Sequence, residues 1–121
     1  MSRAIEKNPP LKKLEEELLS LIQSIDGDAV LTIILTGSVA EGRYVHGLSD
    51  IDIIVIKKEG RPSHILTAVG DIDVEITFLG LEEAMEAVKT GNTFIIQALE
   101  KGIYLKGGET GRALLDYYRG S

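Results

Sequence analysis

The chain of 121 residues contains no cysteine, no apolar run long enough to cross a bilayer and no cluster of basic residues. Without cysteine it can form neither disulfides nor thiolate metal sites. A membrane-spanning helix needs about 20 consecutive apolar residues, so the sequence predicts no membrane association. Residues 1–10 include no apolar signal segment, and we therefore expect a cytoplasmic location.

The balance of charge is acidic, with a formal net charge of -6. Because phosphate backbones repel such a surface, nucleic acid is not an expected partner. A polyanion such as a nucleoside triphosphate would instead need metal ions to bridge it to acidic side chains. Hydrophobic residues make up 44% of the sequence, a globular composition that predicts a single domain over residues 1–121.

Apolar periodicity predicts an α/β or α+β domain, with helices packed on a β-sheet. The segment 59–70 reads as a loop, or as a strand that leads into a hairpin at Gly70–Asp71. Asn8 is a candidate cap for the first predicted helix, and Gly27 a candidate stop. The predicted helices are 8–27, 81–91, 92–102 and 109–120 (the last a helix or a frayed tail), and the predicted strands are 29–37, 50–58, 71–80 and 103–107.

The most informative stretch is LTGSVAEGRYVHGLSDIDIIVI, residues 35–56, where two apolar strands flank a loop. Side chains alternate along a strand, so Asp50 and Asp52 are expected on one face, about 7 Å apart along the backbone. Two carboxylates this close repel each other unless a cation lies between them. Mg²⁺ is typically held by one or two carboxylates together with substrate phosphates. The acidic pair therefore predicts a metal-bridged phosphate site.

The other half of that site is Gly37–Ser38, at the end of the preceding strand. Glycine lets the backbone approach a ligand closely, and the residues that follow can open a helix whose free N–H groups favour phosphate. A third acid, Asp73 or Glu75, lies on one face of a later strand and could reach the same cluster. Two metal ions roughly 3.5–4 Å apart are a known device for displacement at phosphorus.

Each of these elements alone is weak. An isolated Asp-x-Asp is usually a solvated strand start, and an isolated Gly-Ser is usually a turn. Both elements here lie at the ends of apolar strands, eleven residues apart, and a third acidic strand follows. That combination favours the metal–phosphate interpretation.

The pattern of Gly37–Ser38, Asp50-Ile51-Asp52 and a later acidic strand resembles the nucleotidyltransferase superfamily of DNA polymerase β. The run VEITFLGLEEAMEAVKTGNTFIIQALEKGIYLKG, residues 74–107, is similar to the downstream part of its smallest members, the minimal nucleotidyltransferases. The resemblance covers about residues 10–107. It implies a nucleotidyltransferase fold, in which a small mixed β-sheet carries the helices.

The resemblance also implies roles for individual residues. Gly37 and Ser38 would hold nucleotide phosphates, and Arg43 is the candidate basic contact. Asp50, Asp52 and Glu75 would be the catalytic residues and would bind two Mg²⁺ ions, with Glu75 rather than Asp73 as third acid. The implied reaction transfers a nucleoside monophosphate, AMP from ATP, to a hydroxyl and releases pyrophosphate.

The resemblance leaves the function open between two classes. In the first, the chain is a protein adenylyltransferase-like enzyme whose acceptor is a tyrosine of a small helical partner of the HEPN class, in a toxin–antitoxin module. In the second, it is a weak or inactive antitoxin that covers this partner. A homodimer and an ATP sensor are further possibilities. His46 is best read as a solvated loop residue, and the pair Tyr117–Tyr118 as core packing or a docking patch.

Overall fold

The computed structural model describes residues 1–45 and 47–120. The chain begins with helix α1 (Ser2–Lys7), a 3₁₀ helix (Pro9–Leu14) and helix α2 (Glu15–Ile25). Strands β1 (Val30–Thr36), β2 (Ile51–Lys57), β3 (Ser63–Val69) and β4 (Ile72–Gly80) follow. Helices α3 (Leu81–Lys89) and α4 (Thr93–Lys101), strand β5 (Ile103–Lys106) and helix α5 (Gly108–Gly120) complete the described chain.

The five strands form one mixed sheet in the order β3-β4-β2-β1-β5. Only β2 and β4 run parallel to each other, and the other neighbours are antiparallel. This confirms the predicted fold class of a small mixed sheet with helices packed on it. It also places β4 directly beside β2, although β3 lies between them in sequence.

Helices cover both faces of the sheet because its central strands are apolar on both sides. One face packs against α1, the 3₁₀ helix and α2, through residues that include Leu11, Leu18 and Ile53. The other face packs against α3, α4 and α5, through residues that include Ile54 and Leu99. Strand β1 is buried along almost its whole length, as its continuous apolar run predicts.

The N-terminal part differs from the prediction of a single helix. Two prolines follow Asn8, and the chain forms a 3₁₀ helix before α2 begins at Glu15. Proline provides no N–H donor for helical hydrogen bonds, which fits a short, tighter segment at this point. Asn8 makes no side-chain cap, so the predicted role of Asn8 as a helix cap was wrong. Residues 2–7, for which no element was predicted, form α1.

The segment that was hardest to interpret contains a strand. Residues 63–69 form β3, which joins β4 through the two-residue turn Gly70–Asp71, where Gly70 has a φ of +60°. The hairpin alternative was therefore correct. Of the other predictions, Asn92 caps α4 by accepting a hydrogen bond from the backbone N–H of Ile95, and β5 is an edge strand. No helix of the described chain is both long enough and apolar enough to cross a membrane.

Candidate active site

Two of the predicted acids meet because β2 and β4 are parallel neighbours. Asp52 is the second residue of β2 and lies in register with Glu75 of β4. Residues in register on parallel strands point to the same face of a sheet. That face is the one on which α3, α4 and α5 pack, beyond the apolar layer that includes Ile54. Both carboxylates are partly buried at the end of this layer.

The electrostatics of the pair are unfavourable for two negative charges. The pKa of Asp52 is raised to about 6, first by burial, then by the charges of Glu75 and Asp50, and by a side-chain hydrogen bond with Glu75. His64 lies 3.8 Å from Glu75, measured from its Nε2 to Oε2, and acts in the opposite direction on Asp52. Protonating one carboxyl group, or adding a cation, would relieve the repulsion.

Asp50 does not lie where the strand pattern placed it. It is exposed and precedes β2, which begins at Ile51, so only Asp52 of the acidic pair projects from the strand. Asp50 is nevertheless near enough for its charge to raise the pKa of Asp52. Asp73 lies on the same face of β4 as Glu75, but it is exposed and pairs with Ala68 of β3.

The donor chemistry of Asp50, Asp52 and Glu75 fits a hard cation, since each offers carboxylate oxygens. Across residues 1–45 and 47–120, no group of three or more His, Asp or Glu side chains is drawn together closely enough to hold a metal ion. The structure thus brings Asp52 and Glu75 together and leaves Asp50 at the margin of the pair. The elevated pKa of Asp52 indicates the kind of site that a divalent cation would stabilise.

Gly37 lies against Asp52 at the end of β1. Its φ is +72°, and a Cβ atom at this position would lie 2.5 Å from Oδ2 of Asp52. Any other residue would strain the backbone and overlap the carboxylate. The glycine therefore allows the turn after β1 to begin close to the carboxylate of Asp52.

The residues after β1, 37–42, form a series of turns rather than the start of a helix, a possibility that the sequence left open. Successive turns are closed by hydrogen bonds from the N–H of Glu41 to the carbonyl of Gly37 and from the N–H of Arg43 to the carbonyl of Ser38. Among the described residues, no backbone carbonyl accepts from the N–H groups of residues 38–40. Free backbone N–H groups of this kind form concave sites for anions.

Asn8 braces this turn, a role that sequence reasoning missed. Its side-chain amide donates to the carbonyl of Val39 at 2.7 Å and to that of Ala4 at 2.9 Å, while its oxygen accepts from the N–H of Tyr44 at 3.1 Å. Asn8 is buried, so these bonds are shielded from water. Lys7 adds a bond from its Nζ to the carbonyl of Ala40. An asparagine before two prolines resembles a helix cap, and nothing in the sequence indicated a contact 31 residues away.

A cleft of about 240 Å³ opens between this turn and helix α4. On one side it is lined by Thr36, by residues of the turn that include Gly37, and by Arg43, which follows the turn. Three residues of α4 line the other side: Phe94, Gln97 and Lys101. Because Thr36 pairs with Asp52, the cleft borders the acids.

The basic groups of the cleft are partly engaged. Arg43, the predicted phosphate contact, forms an ion pair with Glu41. The hydrogen bond from Arg43 to Glu41, together with the charge of Arg43, lowers the pKa of Glu41. The charge of Lys101 contributes to the same effect. Lys101 was not among the predicted site residues, because only the folded chain brings the end of α4 next to residues 37–43.

The remaining candidates lie apart from the acids or outside the description. His46 lies outside the described residues. Tyr117 and Tyr118 are exposed on α5, and Tyr117 lines an apolar groove together with Leu31 and Met85. Neither tyrosine lines the cleft beside Gly37.

A mixed sheet with an acidic pair at one end, beside a glycine turn after the first strand, defines a small α+β domain. Residues 11–105 match the family model described as nucleotidyltransferase domain. That range covers more than half of the sequence, and the chain therefore belongs to the nucleotidyltransferase domain family. The earlier resemblance to nucleotidyltransferases is confirmed at this level.

Comparison with solved structures supports the fold. The chain is similar to a nucleotidyltransferase-like protein from Exiguobacterium sibiricum 255-15, with a TM-score of 0.63 and 8% sequence identity over 88% of this chain. The aligned region spans 38% of that protein's length, so the likeness concerns a part of the larger molecule. No curated protein matches the sequence.

Proposed function

We propose that this chain is a magnesium-dependent nucleotidyltransferase that moves a nucleoside monophosphate, AMP from ATP, to an acceptor hydroxyl. The observation that carries the proposal is the close approach of Gly37 to Asp52, whose carboxyl group is hydrogen-bonded to that of Glu75. A turn that would bind phosphate and a carboxyl pair that would bind a cation are thereby adjacent, as nucleotidyl transfer requires. Membership of the nucleotidyltransferase domain family supports the same reaction class.

The turn after β1 would bind the phosphates. The N–H groups of residues 38–40 and the hydroxyl of Ser38 would donate to these phosphates, and Gly37, Ala40 and Glu41 of the same turn line the cleft. Arg43 and Lys101 provide positive charge along the same cleft. The hydrogen bonds of Asn8 hold the turn in place before the nucleotide arrives, so less ordering accompanies binding.

The acids would hold the magnesium ions, with Asp52 and Glu75 as the central ligands and Asp50 at the margin. When bound, such ions would offset the negative charge that develops around the α-phosphorus and on the leaving pyrophosphate. The acceptor oxygen forms a bond to the α-phosphorus, and the bond from this phosphorus to the bridging oxygen of pyrophosphate breaks. The carboxylate of Glu75 would accept the proton of the acceptor hydroxyl.

The acceptor we propose is a tyrosine of a small helical partner of the HEPN class. The similarity of residues 74–107 to the minimal nucleotidyltransferases supports this choice. A second candidate function is that of an antitoxin with little or no catalysis. The ion pair between Arg43 and Glu41 favours it, because the predicted phosphate contact already has a carboxylate partner.

The test is transfer of label from α-labelled ATP to protein, in the presence of Mg²⁺ and the product of the adjacent gene. We expect labelling with the native chain and with the Asp73→Asn variant. We expect labelling to be lost with Asp52→Asn or Glu75→Gln. Asp73→Asn is the matched control, because Asp73 is an exposed acid on the same face of β4.

Two outcomes would contradict the proposal. Labelling that survives both Asp52→Asn and Glu75→Gln would show that another site carries the chemistry. A tight complex with the neighbouring product, without labelling under any condition, would establish the antitoxin function instead.

A further inference from the structure

Strand β3 forms one edge of the sheet and is unusually open for an edge strand. Ile65 on one of its faces is 47% exposed and Leu66 on the other is 70% exposed, so helices cover neither face here. Its pairing with β4 continues without a bulge over all seven residues. Its other edge faces no strand of the described chain.

The opposite edge of the sheet is protected in the usual ways. Strand β5 has only four residues, its pairing with β1 contains a register shift, and it ends at Lys106. Short length, irregularity and lysine are the devices by which edge strands avoid pairing with other chains. Strand β3 has none of them, since the sequence SHILTAV contains no proline, lysine, arginine, aspartate or glutamate.

We infer that β3 pairs with β3 of a second copy of this chain, in antiparallel register about a two-fold axis at Leu66. Homodimers with two-fold symmetry are the commonest oligomers, and one self-complementary patch is sufficient for them. In this register Leu66 lies opposite Leu66 of the partner subunit, and Ile65 lies opposite the partner's Thr67. Each copy thereby covers the exposed edge of the other.

The charges that flank the strand are complementary in the same register. Arg61 lies two residues before β3 and Asp71 two residues after it, so each Arg61 comes to the end of the strand where the partner's Asp71 lies. No two like charges are placed opposite each other within the paired strands. A shift of the register by two residues would lose this match at both ends.

The dimer would place the two candidate active sites on the same side of one continuous sheet. Leu66 lies in register with Glu75, and Glu75 with Asp52, so the three residues form one row across the sheet. The two-fold axis is perpendicular to the sheet, and both acid pairs therefore open on the same side of a ten-stranded sheet. Five strand spacings separate the two Asp52 residues, which gives a distance of about 24 Å.

The first test is the molar mass in solution, measured by light scattering or sedimentation. We expect a dimer of twice the 13.2 kDa chain mass. Leu66→Lys places two ammonium groups opposite each other and is expected to give a monomer with an unchanged circular dichroism spectrum. Leu48→Lys is the matched control, because Leu48 is an exposed leucine outside the sheet, and it should remain dimeric.

The second test uses the absence of cysteine in the chain. Directly opposed residues of antiparallel strands have Cα atoms about 4.5–5.5 Å apart, within disulfide range. Mild oxidation should therefore link Leu66→Cys into a covalent dimer much faster than Leu48→Cys, although Leu48 is the more exposed residue. This test does not depend on how Leu66→Lys affects folding, nor on whether the protein transfers nucleotides.

Three results would overturn the inference. One is a native chain that stays monomeric at its highest soluble concentration. This result includes the case in which β3 pairs with a different protein and not with a second copy of the chain. Another is a dimer that Leu66→Lys leaves intact. The third is cross-linking of Leu66→Cys at the rate of Leu48→Cys.

Discussion

The raised pKa of Asp52 predicts that this residue destabilises the metal-free protein at neutral and alkaline pH. Its pKa in the folded chain is about 6, against an ordinary value of 3.8 for an aspartate carboxyl group. Because the folded state disfavours the ionised form, the stabilising contribution is fully present below about pH 4. It is lost as the pH rises through about 6, and above that pH the ionised carboxylate opposes folding. Asp52→Asn removes this effect and keeps the shape of the side chain.

The magnitude follows from the size of the shift. About two pH units correspond to roughly 3 kcal/mol at 1.36 kcal/mol per unit. Asp52 is only partly buried, and solvent screening reduces the figure to about 1–2 kcal/mol. Without divalent cations, Asp52→Asn should therefore raise the free energy of unfolding at pH 8 by about 1–2 kcal/mol, with little change at pH 4.

Urea denaturation in EDTA at pH 4, 6 and 8 measures these differences. Asp73→Asn is the control for the change in net charge, since Asp73 is exposed on the same strand face, and it should show no comparable gain. The reasoning would be refuted if Asp52→Asn were no more stable than the native chain at pH 8. A gain of equal size at pH 4 and pH 8 would refute it too, because the effect would then not arise from ionisation.

The contacts around the turn support three further predictions. Gly37→Ala should lower the free energy of unfolding by more than about 1 kcal/mol through the left-handed backbone alone. It should also abolish ATP binding, because the new Cβ overlaps Asp52. Gly47→Ala, with a φ of +84° and open space around it, should show the backbone cost in urea denaturation while ATP still binds in calorimetry. Asn8→Ala should lower the free energy of unfolding by about 1–3 kcal/mol, the range for buried groups that lose their hydrogen-bond partner. It should also weaken ATP binding. Asn92→Ala, which removes the α4 cap, should cost about 1 kcal/mol and leave the ATP affinity unchanged. Glu41→Gln should release Arg43 and raise the ATP affinity severalfold in titration calorimetry, and an unchanged affinity would show that Arg43 does not contact the nucleotide.

Much of the sheet could be predicted because local apolar patterns determine it. The continuous apolar runs of β1 and β2 and the alternation in β4 identified these strands, and Gly102 marked the end of α4. The alternation along β4 also placed Glu75 on one face with Asp73. Which of these two acids lies beside Asp52 depends on the register between β2 and β4. This long-range pairing is not specified by any local pattern.

Other features of the site depend on contacts between distant parts of the chain. Asn8 reaches Val39 and Tyr44 only after α1 has packed beside the turn, and Lys101 reaches the cleft only when α4 lies against β1. Period-two alternation assigned Asp50 to β2, but the strand begins one residue later, at Ile51. Boundaries of this kind depend on where backbone pairing starts, which the side-chain pattern does not determine.

The central claim is that Asp52 and Glu75 form a cation-dependent nucleotide site beside Gly37. Titration calorimetry with a non-hydrolysable ATP analogue, with Mg²⁺ and in EDTA, tests it most directly. We expect binding to the native chain and to Asp73→Asn only with Mg²⁺, and none to Asp52→Asn or Glu75→Gln under either condition. Equal binding with and without Mg²⁺, unaffected by Asp52→Asn, would contradict it.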